Sequence, residues 1–492
     1  MRRKSVEHLI SNSLESGHQF RRTLDATHLV MLGIGGIIGA GIFVLTGKAA
    51  AQYAGPAVIY SFMLSGLGCV FAALCYAEFA AMIPVAGSAY TYAYATLGEM
   101  IAWIIGWDLI LEYLFGASTV AVGWSGYLVD TLKQISAMTG YNLTIPDVIA
   151  HAPLKFVPGK GLSGFEFTGA IINLPAVLIC ATCTLLLVVG IRESARFNNI
   201  IVVIKVAVIL AFVAFGFSFI RGENHTPFVP PNDGTFGHFG WSGVVRAAAV
   251  IFFAYIGFDA VSTLAQEAKN PQRDMPIGII GSLLVCTLLY VAVAYVMTGM
   301  VHYTKLNDAA PVAIAINAAG DKLSWLGLPI KIGALAGLSS VVLTLLMGQP
   351  RIFFSMSRDG LLPPVFSKMH PKFGTPYVAT ILTGTLAAII AGIFPIDILG
   401  ELVSIGTLLA FVIVCLGVWY LRVAEPNLQR PFRTPMVAFV SIAGALISVV
   451  QMGFLPLDTW YRLLGWMALG FVVYFAYGRS HSVLGKMEAR GE

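Results

Sequence analysis

Apolar residues run along this chain in long blocks, and the polar residues collect between the blocks rather than along one face of each. A soluble amphipathic helix carries an apolar stripe. A block of about 20 residues that is apolar on every side has the length and character of a helix crossing a bilayer core of roughly 30 Å. Bounded by charges and by Pro and Gly clusters, the blocks predict spans at 27–51, 57–83, 100–130, 169–190, 198–220 and 241–266. Six more are predicted at 277–300, 329–356, 376–395, 398–422, 434–454 and 460–478. The expected fold class is all-α integral membrane with 12 transmembrane helices. An even number of spans puts both termini on one side.

Composition supports this class: 57% of the 492 residues are hydrophobic and only 11% are charged, against roughly 25% charged in ordinary soluble proteins. A water-soluble enzyme and a disordered chain are both excluded. The net charge of +5 does not point to nucleic acid, because the basic residues are spread through short loops. With both termini assigned to the cytoplasm, 19 Lys and Arg fall in cytoplasmic segments and 9 in outer ones, leaving Lys205 and Arg246 inside spans. That asymmetry is the positive-inside pattern of a multi-pass protein of the cell membrane. One cytoplasmic segment, Pro84-Val-Ala-Gly-Ser-Ala-Tyr90, carries no basic residue, which an amphipathic or re-entrant segment would explain. Residues 1–26 hold Arg2, Arg3, Lys4, Arg21 and Arg22 without the apolar core of a signal peptide, so the first block reads as a retained span.

All six cysteines fall within apolar blocks, where they pack as small hydrophobes. Cys180 and Cys183 form a C-x-x-C without the second pair or histidines that a zinc site needs. The nine histidines lie at termini, in loops or at span edges with no metal-ligand spacing. No metal, cofactor or enzymatic constellation is expected. A channel would need a continuous polar path or charged rings, which these spans do not provide.

Two spans are built unusually. Span 1 carries Gly33, Gly35, Gly36, Gly39 and Gly41 around its centre, and each interior glycine costs about 1 kcal/mol of helix relative to alanine. Backbone freed at membrane depth is tolerated only where it lines a cavity or is buried in protein. A helix broken at mid-membrane is one reading, and a G-x-x-x-G packing face from Gly35 and Gly39 is the other. A dinucleotide fingerprint fails because no strand precedes it. Span 6 adds Phe252-Phe253-Ala254-Tyr255-Ile256-Gly257-Phe258-Asp259-Ala260, a glycine and a carboxylate inside a second apolar block. Interrupted spans at positions one and six point to five-plus-five inverted repeats with a site at their interface. The expected divisions are an N-terminal segment 1–26, a first repeat 27–220, a second repeat 241–422, spans 11 and 12 over 434–478, and a cytoplasmic tail 479–492. Half-helix ends offer N–H groups to a carboxylate and C=O groups to an ammonium, which matches the head of an amino acid.

Gly36-Ile-Ile-Gly-Ala-Gly-Ile-Phe43 and Phe253-Ala-Tyr-Ile-Gly-Phe-Asp-Ala260, continuing to Glu267-Ala-Lys-Asn-Pro271, resemble the amino acid, polyamine and organocation (APC) superfamily. Trp107-Asp-Leu-Ile-Leu-Glu-Tyr113, Arg358-Asp-Gly-Leu-Leu-Pro363 and Ser404-Ile-Gly-Thr-Leu408 are similar to its cationic amino acid transporter branch, bacterial type. The resemblance covers most of the chain. It implies a leucine-transporter-like fold with broken helices 1 and 6, and alternating access around a site between spans 1, 3, 6, 8 and 10. It further implies a carboxylate held by the N–H groups of Ala40, Gly41 and Ile42 beside Gly39, and an amine held by the carbonyls of Ile37, Phe253, Ala254 and Ile256 beside Gly257. Phe253 matches an aromatic that covers the substrate and acts as a gate. At position 40 relatives often carry a small hydroxyl residue, so alanine removes one side-chain contact.

Lys205 is the lysine placed deep inside a span, where a charge costs at least about 2.5 kcal/mol on insertion scales. By resemblance it is the proton-coupling residue, replacing the sodium ion of cousins with the same fold; the competing reading is a fixed strut. Glu112 either assists proton movement or contacts the substrate amine. Asp259 either binds the half-helix or works in a gate. Asp108 and Glu78 are further buried acids with structural readings of their own, and Arg246 is expected to reach the outer interface. The pocket floor, from Phe253, Leu343, Met347 and Ser404, is mostly apolar. The function expected is therefore proton-coupled symport of L-amino acids, small neutral ones such as alanine first and with broad tolerance. The alternatives are a cationic amino acid transporter and a proton-independent exchanger. The expected partners are the amino acid, protons and membrane lipid, with a sterol-like lipid or a small partner helix both open.

Overall fold

The computed structural model describes residues 22, 24–85, 88–157, 164–189, 194–308 and 310–490. Arg2, Arg3, Lys4 and Arg21 of the N-terminal segment lie outside the described residues. The protein is an all-α membrane protein: among the described residues, eight helical runs are long and apolar enough to cross a bilayer. One of these, Ala26–Met82, joins predicted spans 1 and 2 through a turn at Gly55–Ala57. Helices also stand where the remaining spans were expected, including the shorter Leu174–Val189 and Tyr377–Ile393 at positions 4 and 9 and Leu457–Val473 at position 12. Between spans 3 and 4, two short strands, Leu154–Phe156 and Phe165–Phe167, pair antiparallel with Lys155 opposite Glu166.

Span 1 begins at Ala26, where Asp25 adopts extended backbone and its side chain accepts from the His28 N–H at 3.1 Å. This is the N-cap chemistry that satisfies one orphan donor of a first turn. The same carboxyl meets the His28 ring, and these two hydrogen bonds hold it down to about 2. Span 7, Pro271–Met300, starts with proline at its first position, where no N–H is needed.

The packing has a regular pairing. Span 2 (Val58–Met82) packs along span 7, span 3 (Glu99–Thr139) along span 8 (Ser324–Arg358), and span 4 along span 9. Span 5 (Ser194–Gly216) lies against spans 1, 7 and 8, while span 10 (Ile396–Ala424) lies against spans 6, 2 and 3. Spans 11 (Val437–Phe454) and 12 rest outside on span 10. Glu78 of span 2 fixes this side: it takes Nε and Nη2 of Arg422, each at 2.8 Å, and the N–H of Thr434, also at 2.8 Å. The basic-free segment expected to be amphipathic or re-entrant leads into the helix Ser88–Thr96, which is buried along its whole length and so is not an amphipathic surface helix. Two of its tyrosines are held by carboxyls, Tyr90 donating to Asp359 Oδ2 at 2.6 Å and Tyr94 to Glu99 Oε2 at 3.2 Å.

The face of the bundle that carries the chain ends is tied shut. Leu24 pairs in parallel with Ala268, its N–H bonding the Glu267 carbonyl at 3.0 Å while the Lys269 N–H bonds the Leu24 carbonyl at 2.7 Å. Arg351 of span 8 meets Glu267 at 3.0 Å. The last residues close over the same face: the Val483 N–H donates to the Asp359 carbonyl at 3.0 Å and Ser482 donates to Glu99 at 2.5 Å. On the opposite face Lys48 pairs with Asp397 and Lys331 with Asp130, each at 2.7 Å. Arg246, expected at an interface, lies there over the Tyr53 ring at 5.1 Å.

Candidate substrate and coupling site

The centre of the molecule is where two helices stop. Span 1 leaves helical geometry at Ile38, which is extended at φ −73°, ψ 99°, and resumes as a wider π-turn over Gly41–Leu45. Span 6 tightens to a 3-10 turn over Phe252–Tyr255, opens at Ile256 and resumes over Asp259–Glu267. The restart leaves the first N–H groups after the span 1 break, those of Ala40, Gly41 and Ile42, without a preceding turn to bond. Expected neighbours Gly39 and Gly257 lie in the two breaks themselves.

Glycine is required where these breaks cross. Gly257 has φ +115°, a conformation disfavoured for L side chains, and a Cβ there would stand 2.8 Å from the Gly36 carbonyl carbon. A Cβ on Gly41 would stand 2.2 Å from Cα of Ala254. The two spans therefore touch main chain to main chain at two levels. Phe253 is buried beside this crossing, and its carbonyl accepts from the Ile256 N–H at 3.2 Å.

Tyr290 of span 7 links the two unwound segments. Its hydroxyl lies 2.8 Å from the Ile37 carbonyl and 2.8 Å from the Ala254 carbonyl. Each carbonyl keeps a second lone pair for another donor. Nothing about a lone tyrosine in an apolar block sets it apart by sequence.

Lys205 is fully buried, and three acceptors take its ammonium: the Gly35 carbonyl at 2.7 Å, the Ile38 carbonyl at 3.0 Å and Ser340 Oγ at 3.2 Å. A lysine ammonium has three donors, so the charged form is fully satisfied. Its carbonyl partners flank the break, at the C-terminal end of the first half of span 1, where a helix dipole favours a cation. Ser340 is a second residue that sequence reading did not single out.

Asp259 accepts from Tyr113 at 3.0 Å and from the Gly257 N–H at 3.3 Å, so it fastens the restart of span 6 to span 3. Glu112 is buried beside Asp259 and the Thr407 hydroxyl of span 10. Span 8 completes the enclosure: Val341 packs at Gly39, the Thr344 methyl at Gly36 and the Tyr113 ring at Gly348. Met347 is half-buried on this helix, three residues beyond Thr344. Ser404 is buried on span 10. The structure thus gathers Ile37, Ala40, Gly41, Phe253, Ala254, Gly257, Asp259 and Glu112 around one crossing, with Lys205 on its far side against span 1.

This arrangement is that of a carrier. The chain belongs to the amino acid permease family of the APC superfamily, whose model matches residues 24–474. It is a transporter and not an enzyme. It is 46% identical to the methylthioribose transporter of Bacillus subtilis, over 99% of both chains. A branched-chain amino acid permease of the same organism is 45% identical over 98% of both chains. A vacuolar cationic amino acid transporter of Arabidopsis thaliana is 38% identical over 87% of this chain and 68% of its own length.

Proposed function

We propose that this permease is a proton-coupled symporter of neutral L-amino acids, alanine-sized ones first, working by alternating access with both termini in the cytoplasm. The observation that carries the coupling is the Lys205 ammonium on the Gly35 and Ile38 carbonyls. A neutral amine has fewer donors, so loss of the proton releases at least one tie between span 5, span 8 and the first half of span 1. That half can then move independently of the rest. The substrate carboxylate meets the N–H groups after the span 1 break, and the amine meets the second lone pairs of Ile37 and Ala254 beside Phe253 and Ile256. Met347 borders the side-chain pocket, and Glu112 takes part in moving the proton.

Support for twelve spans in two inverted halves comes from the packing partners, which exchange when five is added to each span number. Span 5 on 1, 7 and 8 is matched by span 10 on 6, 2 and 3. A twofold relation between 27–220 and 241–422 produces that exchange. A second reading, transport of cationic amino acids, is favoured by the carboxyls of Glu112 and Asp259 beside the crossing.

The test is uptake of labelled alanine and arginine into liposomes, with and without an inward proton gradient, for wild type and Lys205→Ala. The expected result is gradient-driven alanine accumulation that the variant loses. Counterflow alone, indifferent to pH, overturns symport and leaves Lys205 a strut; uptake of arginine alone selects the second reading.

A further inference from the structure

Around and below the crossing, spans 3, 8 and 10 enclose polar side chains that have no hydrogen-bond partner among the described residues. Gln349 of span 8 is fully buried and neither amide atom has a hydrogen-bond partner; the same holds for Ser404 Oγ of span 10 and both carboxyl oxygens of Asp108. Buried polar atoms of this kind are ordinarily completed by ordered water.

Helix register brings these groups together. Gly116 of span 3 faces Leu345 of span 8 and Val403 of span 10, at 3.3 and 3.8 Å from its Cβ direction. Both neighbours run antiparallel to span 3, so one turn toward the chain-end face brings residue i+4 of each beside Glu112. For span 10 that residue is Thr407, whose hydroxyl donates to the Val403 carbonyl at 2.9 Å, leaving both buried Glu112 carboxyl oxygens without a hydrogen-bond partner. For span 8 the same step gives Gln349. A further turn along span 3 reaches Asp108, where Gly406 leaves room for the carboxyl: a Cβ there would stand 3.0 Å from Asp108 Oδ1. Ser404 lies three residues before Thr407, so on antiparallel span 10 it stands level with Phe115, on the outer side of Glu112. The ionisable groups facing Glu112 are Asp259 from span 6, Tyr76 from span 2, and Tyr113 and Asp108 from its own helix, while spans 8 and 10 offer the neutral Gln349 and Thr407.

We infer that Gln349 holds water between Glu112 and Asp108, forming the route by which the transported proton leaves toward the cytoplasm. The inference rests on the symport reading and on its orientation. The Glu112 carboxyl gives its proton to the water held by the Gln349 amide, that water passes one to the Asp108 carboxylate, and Asp108 releases it inward. Gln349 never ionises. It is a positioning residue, its carbonyl and amino groups orienting water on both sides.

The experiment compares two rates in liposomes for wild type, Gln349→Met and Asp108→Asn: alanine counterflow without a gradient, and alanine accumulation driven by an inward proton gradient. Counterflow needs the substrate site and a sound fold but no net proton release. Each variant is expected to keep counterflow within about twofold of wild type while accumulation falls at least tenfold, and proton entry reported by trapped pyranine falls with it. Equal loss of both rates in both variants overturns the inference in favour of a binding or structural role. Unchanged accumulation overturns it outright. Wild type without gradient-driven accumulation instead removes the symport reading, a failure seen before any variant is measured.

Discussion

Tyr290 is the residue whose single polar atom joins the two broken spans. Its replacement by phenylalanine keeps the ring and removes the donor, leaving the Ile37 and Ala254 carbonyls buried without it. Loss of such a partner costs about 1–3 kcal/mol. Tyr290→Phe is therefore expected to lower the thermal unfolding midpoint in detergent and to slow uptake; an unchanged melt with unchanged uptake would show that other donors cover both carbonyls. Asp25 gives a pH dependence of known sign. Its carboxyl, with an ordinary value of 3.8, is held at about 2 by His28, so its capping contribution is complete above about pH 4 and is lost only as pH falls toward 2. The cap therefore stays intact throughout the mildly acidic range in which a proton gradient would be imposed.

At the scale of elements, the clearest tie is the one between spans 2 and 10. Glu78 is almost wholly buried and takes both nitrogens of Arg422 in a two-pronged pair, with Arg430 at 3.3 Å. Removing one partner of a buried pair typically costs about 3–5 kcal/mol, because the other charge stays behind. Glu78→Ala is expected to lose stability on that scale, measured by thermal unfolding, and Glu78→Gln to lose less; equal melts for all three would mean that the pair is idle. Elements are also the level at which sequence was most readable. Blocks of apolar residues locate helices because a bilayer demands them, and the glycines of span 1 and Gly257 mark the interruptions because only glycine permits such backbone approach. Tyr290, Ser340 and Gln349 could not be recognised that way. Tyr290 and Ser340 take their meaning from partners on other helices and Gln349 from the helices that bury it, which no local pattern records. The buried helix Ser88–Thr96 shows the same limit: a charge-poor segment between spans reads as amphipathic or re-entrant, and tertiary contacts that bury every side of it exclude the amphipathic surface helix.

Taken whole, the molecule is closed at the face holding its chain ends, where Leu24, Glu267, Ala268 and Lys269 zip span 1 to span 6. If transport alternates between two openings, that zipper must part in every cycle. A double variant, Leu24→Cys with Ala268→Cys, is expected to arrest alanine counterflow on oxidation and recover it on reduction, since the six native cysteines are all buried. Continued counterflow with a proven cross-link would mean that the zipper stays shut during transport.

The crossing of Gly36 with Gly257, and of Gly41 with Ala254, has a mechanical consequence. Helices that meet through side chains interlock as ridges in grooves, and such contacts move by jumping from one notch to the next. Here glycine main chain bears on main chain and on the small methyl of Ala254, with no large side chain to disengage. Under the alternating-access proposal such a joint would serve as a fulcrum, letting spans 1 and 6 tilt about it while the spacing at its centre hardly changes.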